Sequence, residues 1–371
     1  MDTTRIPLYP AVTGAVLLAL LSGAPPVLRA QATNDSTLTV KFGGFVDGYY
    51  AFDFNRPRAL DRAYTTQPAR HNEFNINLAY VEAVLSGERV RGRLAVQYGT
   101  SVQANYAAEP RVGSYSGGDL ARHLQEAVVG VKLLPTLWLD GGIYLSHIGS
   151  ESWISRDNLT YTRSLIADYS PYYQSGVKLT WQPSSTVTAQ LNVVNGWQII
   201  SESNEDKAVG ARIDWTASPK VTLSAYNLIG SETPDSAARQ LRNFQGASVK
   251  FVPADRVTLL GTLDFGSQDL GEETGRWYGT SFIARVQATP TVALVGRVEH
   301  YDDERQVIIA TGTSDPFKAT GGSVGIDVAP APRMLWRTEL RALAGRDAII
   351  PGRNALEKSN AFLVSSLALT F

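Results

Sequence analysis

Residues 257–266 read VTLLGTLDFG, and the character of the side chains changes at every second position. Leu263 and Phe265 fall on one face of an extended chain, whereas Thr262 and Asp264 fall on the other. A period of two is typical of a β-strand whose two faces meet different surroundings. The same alternation recurs in YQSGVKLTWQ (173–182), AVGARIDW (208–215) and MLWRTELR (334–341).

Compact turns separate these stretches at intervals of similar length along the chain. Most of them contain proline, which presets φ and ends a hydrogen-bonded ladder. The predicted turns are 86–89, 134–137, 182–185, 218–221, 252–255, 289–292 and 329–332. Between and beside them the alternation predicts about sixteen strands. The strands are centred on Val46, Leu78, Leu94, Val129, Leu139, Val177, Leu191, Ala211, Leu223, Val249, Leu259, Phe282, Val295, Val324, Leu340 and Leu367.

Long polar loops alternate with the short turns. They are predicted at 56–72, 101–121, 150–171, 199–206, 231–242, 269–275, 303–318 and 347–358. Short turns at one end and long loops at the other are typical of outer-membrane barrels, in which the turns are periplasmic. The fold class predicted is therefore all-β: a transmembrane antiparallel β-barrel of about sixteen strands with long extracellular loops.

Composition agrees with an exported β protein. Among 371 residues there is no cysteine, the formal net charge is −1, and charged residues make up 19%. The near-zero charge points to no nucleic-acid partner. The absence of cysteine removes wrong disulfides during passage through an oxidising periplasm.

The N-terminus reads as a signal peptide. Arg5 supplies the positive start, residues 11–21 supply a short apolar run, and Ala30-Gln31-Ala32 matches an A-x-A cleavage site. The alternative is a membrane anchor, but the run is shorter than the ~20 residues that a spanning helix needs. The predicted organisation is a signal peptide over 1–32 and a barrel over 33–371.

The two faces of the predicted strands differ in chemistry. One face is small, aliphatic or aromatic, and the other carries charge in strand after strand, which in a barrel is the water-filled inside. The alternative is a β-sandwich with one solvated face. The predicted pore-lining residues are Asp47, Arg91, Arg93, Glu126, Lys132, Asp140, Lys178, Arg212, Asp214, Lys250, Asp264, Arg285, Arg297, Glu299, Asp327, Arg337, Glu339 and Arg341.

Aromatic residues favour the barrel over the sandwich. They form two groups at opposite strand ends, as interfacial girdles require. The group near the short turns is Phe42, Trp181, Trp215, Phe251, Trp336 and Phe371, and the group towards the long loops is Tyr50, Phe52, Tyr98, Trp197, Phe265 and Tyr278.

The chain ends LVSSLALTF (363–371), which resembles the C-terminal assembly signal of outer-membrane barrels. Phe371 is thus expected to engage the barrel-assembly machinery.

Several stretches resemble one family. GFVDGYY (44–50) followed by FNRP (54–57) resembles the opening strand and first loop of the OmpL-like β-barrel porins. LDGGIYLSHIGSE (139–151), NLTYTRS (158–164), GVKLTW (176–181) and VNGW (194–197) resemble the middle of that family. Thr162 stands where serine is expected. The resemblance implies a bacterial outer-membrane channel and names no substrate.

Other chemistry has little support in the sequence. The histidines are His71, His123, His147 and His300, and none has a neighbour at ligand spacing, so neither a metal nor another cofactor is expected. Ser146 and Ser150 near His147 raise the alternative of an outer-membrane lipase, which would need serine and histidine on the lipid face. Alternation puts Ser146 on the polar face, opposite His147, so no enzyme is predicted.

The loop 150–171 is the candidate constriction. It contains charges of both signs and three aromatic residues that would anchor it to the inner wall. The alternative is a solvated surface loop. The candidate constriction residues are Glu151, Arg156, Asp157, Arg163 and Asp168.

The predicted function is passive diffusion of small hydrophilic solutes or ions through a pore in the bacterial outer membrane. At about sixteen strands the side chains no longer fill a barrel. A substrate-selective channel of the same fold stays open as an alternative, as does a secreted β-propeller or sandwich with a binding role. Outer-membrane lipids, small hydrophilic solutes and further copies of the chain are the expected partners.

Overall fold

The alternating stretches form strands throughout the part of the chain that the structure describes, residues 38–371 of a computed structural model. The predicted signal peptide, 1–32, lies outside the described residues. The barrel strands are β1 (Thr39–Asp53), β2 (Phe74–Ser86), β3 (Val90–Tyr98), β4 (Leu124–Leu134), β5 (Leu137–Leu145), β6 (Tyr173–Trp181), β7 (Val187–Val194), β8 (Ala208–Ser218), β9 (Val221–Ser231), β10 (Leu241–Ala254), β11 (Val257–Asp269), β12 (Thr274–Gln287), β13 (Val292–Asp303), β14 (Phe317–Val328), β15 (Met334–Gly345) and β18 (Ser359–Thr370). All sixteen predicted strand centres fall within these strands.

Each barrel strand pairs with its neighbours in the chain, and β1 pairs with β18, so the sheet closes into a sixteen-stranded antiparallel barrel. Two very short strands, β16 (Ile350–Pro351) and β17 (Leu356–Glu357), form a separate hairpin in the last loop. The predicted fold class is confirmed, and the sandwich and propeller alternatives are wrong.

The C-terminal residue takes part in the closure. Phe371 exchanges backbone hydrogen bonds of 3.0 and 3.1 Å with Gly44. Its ring covers Gly44 so closely that an added Cβ there would lie 2.3 Å from Cζ. Glycine at this position therefore lets the last aromatic ring lie against the first strand.

The seven short turns are present, and in most of them the strands extend into the predicted turn, most of all between β10 and β11. Pro253 and Ala254 still belong to β10, and the turn is confined to Asp255 and Arg256. The long loops hold short helices that strand alternation does not predict: Thr100–Asn105, Gly118–Ala121, Leu165–Asp168 and the 3₁₀ turn Ser155–Asp157. Among the described residues no helix combines the length and apolar character needed to cross a bilayer.

The outer surface of the barrel is apolar. Ile213, Leu263 and Trp336 are each about half exposed there, while their chain neighbours Arg212, Asp264 and Arg337 face inward. The ten girdle aromatics other than Phe371 and Trp197 lie on this outer surface, exposed or half exposed.

Two aromatic residues depart from the outer face on which the sequence pattern puts them. Trp197 packs edge-on against Phe244 and Trp277 inside the barrel mouth, because the chain leaves β7 at Val194 and turns inward. Tyr173 alternates in step with Trp181 along β6, yet it is fully buried and stacks on Tyr106 with ring centroids 4.1 Å apart. The outward assignment is wrong for both residues.

Candidate functional site

The segment between β5 and β6, residues 146–172, enters the barrel. Arg212 on β8 holds its first turn, donating from Nη1 to the carbonyl oxygens of His147 at 2.9 Å and Gly149 at 2.7 Å. The hydroxyl of Ser150 then lies 2.7 Å from that of Thr262 on β11. We call this segment the inner loop.

The middle of the inner loop reaches deep into the barrel. Ser155 donates from Oγ to Asp47 on β1 at 2.7 Å, and its carbonyl accepts from Arg337 on β15 at 2.6 Å. Arg156 bonds the carbonyl oxygen of Arg333, in the short turn before β15, and the hydroxyl of Thr370. The inner loop therefore extends to the short-turn end.

The returning half of the inner loop binds the wall formed by β13 and β15. Arg297 donates to the Thr162 carbonyl at 2.6 Å, and Glu339 accepts from the Thr162 amide and hydroxyl, both at 2.8 Å. Glu299 accepts from the amide of Leu165 at 2.7 Å. These bonds satisfy loop backbone groups that would otherwise be buried without partners.

Two wall glycines make room for the inner loop. A Cβ at Gly210 would lie 2.3 Å from Nε2 of His147, and one at Gly279 would lie 2.2 Å from Cγ2 of Ile166. Wall and loop are thus in contact at both places.

One group of the residues predicted to line the pore lies under the inner loop: Asp47, Arg285, Arg297, Glu299, Asp327, Arg337, Glu339 and Arg341. All except Arg285 are only 0% to 3% exposed, so the prediction that these seven line open water is wrong. The reason is that they pair with one another and with the loop. Arg337 bonds Asp327 at 2.9 Å, and Arg341 bonds Glu299 at 2.9 Å. We call this region, from β12 through β15 and β18 to β1, the covered wall.

The second group lies on β3 to β10, which we call the open wall: Arg91, Arg93, Glu126, Lys132, Asp140, Lys178, Arg212, Asp214 and Lys250. Arg91 pairs with Asp140 at 2.5 Å, and Arg93 pairs with Glu126. Arg212 pairs with Asp214 at 2.8 Å. The first two acids lie behind their arginines and are 3% and 7% exposed, so the water-facing prediction is wrong for Asp140 and Glu126.

The three lysines of the open wall have no carboxylate within 4 Å among the described residues. Lys132 and Lys178 instead lie over the rings of Trp138 and Tyr144, at 5.0 and 4.4 Å. Lys250 is exposed to the lumen.

Asp264 on β11 belongs to neither group. It is 3% exposed and accepts from the Tyr226 hydroxyl at 2.7 Å, so its predicted position at open water is wrong.

A residue that sequence analysis missed is Glu82 on β2, which pairs with Arg93 at 2.6 Å. Its place between valine and alanine in an alternating strand could have revealed it.

Three cavities border the open wall and the inner loop. The loop cavity, about 280 Å³, is lined by loop residues with Arg212; the wall cavity, about 240 Å³, includes Asp214 and Lys250; and the turn-side cavity, about 400 Å³, includes Arg91 and Lys178. The loop and wall cavities share Ser150, Glu151 and Arg212.

The five candidate constriction residues of the inner loop lie in different surroundings. Asp168 accepts from the hydroxyls of Thr66 at 2.6 Å and Tyr172 at 2.8 Å. Arg156 donates to the Arg333 carbonyl and the Thr370 hydroxyl at the short-turn end of the barrel. Asp157 is exposed and lines the wall cavity.

The remaining two, Glu151 and Arg163, line the loop cavity. Glu151 accepts from the amide and hydroxyl of Ser164. Burial raises the pKa of Glu151 above its usual 4.5, and the positive charge of Arg297 partly opposes this rise.

The side chains around His147 do not form a catalytic arrangement. This side chain is buried inside the barrel mouth rather than on the lipid face, with Nδ1 at 2.8 Å from Gln174 and Nε2 at 2.9 Å from the Asn227 carbonyl. Neither nitrogen contacts a serine, so the lipase arrangement is absent at this residue. Residues 38–371 contain no cluster of three histidine or acidic side chains placed to hold a metal ion.

One family model covers nearly all of the described chain. The model of the family described as "putative beta-barrel porin-2, OmpL-like" matches residues 39–371. No curated protein matches the sequence.

Solved structures share the fold at very low identity. The outer-membrane channel DcaP of Acinetobacter baumannii has a TM-score of 0.60 at 9% identity, covering 91% of this chain and 99% of its own. OmpT of Vibrio cholerae has 0.58 at 11%, covering 90% and 98%. The anion-selective porin of Comamonas acidovorans has 0.57 at 11%, covering 90% and 100%.

Proposed function

Because the chain belongs to the OmpL-like β-barrel porin family and is a barrel of the bacterial outer membrane, we propose that it conducts small hydrophilic solutes or ions by passive diffusion. The observation that carries the proposal is the open wall. Its charged side chains border cavities of about 240 to 400 Å³ inside the barrel. A sixteen-stranded barrel is wide enough to leave an aqueous channel beside the inner loop.

The inner loop is proposed as the constriction. It hydrogen-bonds to the covered wall from its mouth to its base and leaves the lumen beside the open wall. We infer that the neck of this constriction lies between Ser150, Glu151 and Arg212, because these residues border both the loop cavity and the wall cavity. Solute size would be limited there, and charge at the neck would bias ion passage.

The charge pattern favours a second candidate, a substrate-selective channel. The open wall presents paired arginines together with Lys132, Lys178 and Lys250, which have no acidic neighbour within salt-bridge distance in residues 38–371. A structural neighbour, the Comamonas acidovorans porin, carries the description anion-selective. Saturation of solute flux, or its absence, separates selective passage from general diffusion.

Export and assembly complete the proposal. We infer that residues 1–32 are removed as a signal peptide and that Phe371 engages the assembly machinery while outer-membrane lipids surround the apolar face. A structural neighbour, OmpT of Vibrio cholerae, is described in a trimer form, which supports a homo-oligomer here. Deleting Phe371 is expected to lower the amount of heat-modifiable barrel in the membrane. Unchanged levels would contradict the assembly role.

Planar-bilayer recording of the purified barrel tests the channel directly. Stepwise ion currents are expected, and replacing residues 152–164 by a short glycine-serine linker is expected to raise single-channel conductance. Asp157→Lys and Arg163→Glu are expected to shift ion selectivity. An inserted barrel that passes no current contradicts the function. An inserted short-loop variant with unchanged conductance contradicts the constriction.

A further inference from the structure

Arg163 is unusual among the arginines of the barrel because it is buried without a carboxylate contact. It is 2% exposed, and its Nη2 donates to the Ala167 carbonyl at 2.6 Å. Nε and Nη1 have no hydrogen-bond partner among the described residues. Buried N–H donors are normally satisfied, so two free donors on one guanidinium mark a place where a ligand can accept.

The position of this guanidinium is fixed before any ligand arrives. Its central carbon lies 3.3 Å from the centre of the Tyr172 ring, and the Tyr172 hydroxyl is itself bonded to Asp168 at 2.8 Å. Both Arg163 and Tyr172 line the loop cavity. A cation stacked on an aromatic face and held by its backbone bond is preorganised to bind.

Glu151 lines the same cavity and carries the opposite charge. It is held by the amide of Ser164 at 3.1 Å and by the Ser164 hydroxyl. A solute with only a negative charge would be attracted by Arg163 and repelled by Glu151, and a solute with only a positive charge would meet the reverse. A solute that carries both charges gains from each residue.

We propose that the loop cavity is a binding site for small zwitterionic solutes with one carboxylate and one ammonium group, the chemistry of an α-amino acid. The carboxylate accepts from the free donors of Arg163, and the ammonium faces Glu151. The cavity volume of about 280 Å³ accommodates a small member of this class. This inference rests on the proposed channel function, because solute reaches the site through the lumen.

The site lies on the proposed path rather than beside it. Ser150, Glu151 and Arg212 border both the loop cavity and the wall cavity, so a solute bound at Glu151 occupies the neck between them. Bound zwitterion should therefore reduce ion current, and the reduction should saturate as the site fills.

The test compares three solutes of similar size on the full barrel: L-alanine, acetate and ethylammonium. Binding is measured by titration calorimetry in detergent and by current block in planar bilayers. L-alanine is expected to bind at least tenfold more tightly than either singly charged solute and to block current saturably. Equal binding of alanine and acetate, or no alanine binding, would overturn the proposal.

Two variants separate recognition from structural damage. Arg163→Gln is expected to remove alanine binding. Glu151→Gln keeps an acceptor for Ser164 but loses the negative charge. It is therefore expected to weaken alanine binding at least tenfold and to strengthen acetate binding. Lys358→Gln, which removes a positive charge from the distant last loop, is the control and should leave all three affinities unchanged. An unchanged alanine-to-acetate ratio in folded Glu151→Gln would also overturn the proposal.

Failure of the site and failure of the channel give different results. A barrel that conducts ions but binds no alanine in either assay contradicts only the site. A barrel that inserts without conducting contradicts the channel, whatever calorimetry shows.

Discussion

The covered wall and the open wall have the same alternating sequence pattern but different interiors. On the covered wall, Arg337 and Arg341 are 1% and 0% exposed; both bond acids, and Arg337 also bonds loop carbonyls. On the open wall, the side chain of Arg91 is 37% exposed and pairs with a single acid. The first region resembles a polar protein core, and the second resembles the wall of a pore.

An inward position in a wide barrel does not by itself make a residue pore-lining. Desolvation by the inner loop converts ion pairs that would be weak and screened in water into buried pairs whose loss is costly. The inner loop is bound both through its backbone and through side chains such as those of Ser155 and Thr162, so its attachment depends on the wall and on its own sequence.

Removing the Arg337 guanidinium should destabilise the barrel more than any other substitution considered below. In Arg337→Met, the carbonyls of Ser155, Asn158 and Leu159 each lose the hydrogen bond from the guanidinium, and Asp327 keeps only Arg285. The expected loss of unfolding free energy is roughly 3–5 kcal/mol, because a buried charge network is broken on one side. Urea unfolding of the purified barrel measures it.

Arg91→Met on the open wall is the matched control. Its pair is partly solvated, and Lys178 remains near Asp140, so the expected loss is about 0–1 kcal/mol. Equal losses for the two variants would show that the two walls do not differ in solvation.

The next effect separates the lipid face from the lumen. Ile213 is 47% exposed on the outer surface, so Ile213→Arg is expected to cost ~2–4 kcal/mol if it lies near the bilayer midplane. Gln190 lies opposite Arg212 in the register of the neighbouring strand, and it lines the turn-side cavity. Gln190→Arg should therefore fold with near-normal stability in lipid vesicles. The reverse order would mean that the faces are exchanged.

A smaller effect is expected where the inner loop touches the covered wall without charge. In Gly279→Val the new side chain would collide with Ile166 and Tyr301. Overpacking is expected to lower the free energy of unfolding by about 1–3 kcal/mol or to displace the inner loop from the wall. Single-channel conductance should change with it. Gly261→Val, whose Cβ meets nothing within 4 Å, is the control. Equal behaviour of both variants would argue against contact between loop and wall.

The sequence predicted the barrel well because its information is local. Period-two alternation and proline turns located all sixteen strands, and the charged faces were assigned to the inside by register alone. The sequence did not reveal which inward charges the inner loop buries. Arg91 and Arg337 are both inward arginines in similar strands, and only the tertiary path of residues 146–172 separates them.

The smallest effect concerns Glu151, at the boundary between the two walls. Burial raises its pKa above 4.5, while Arg297 and Arg163 oppose the rise. The native barrel therefore holds this proton at pH values where the unfolded chain has released it. Its contribution to stability must decline as pH rises from about 4.5 through the raised native pKa and stay constant above it. The decline amounts to roughly 1.4 kcal/mol for every pH unit that separates the native pKa from the unfolded one.

The difference in urea midpoint between the parent and Glu151→Gln, followed from about pH 4 to pH 8, measures this decline. The substitution keeps an acceptor for Ser164 but cannot titrate, so whatever varies with pH in that difference comes from the carboxyl group itself. A difference that does not vary with pH would mean that lumen water hydrates Glu151 fully, and the boundary of the open wall would then include this residue.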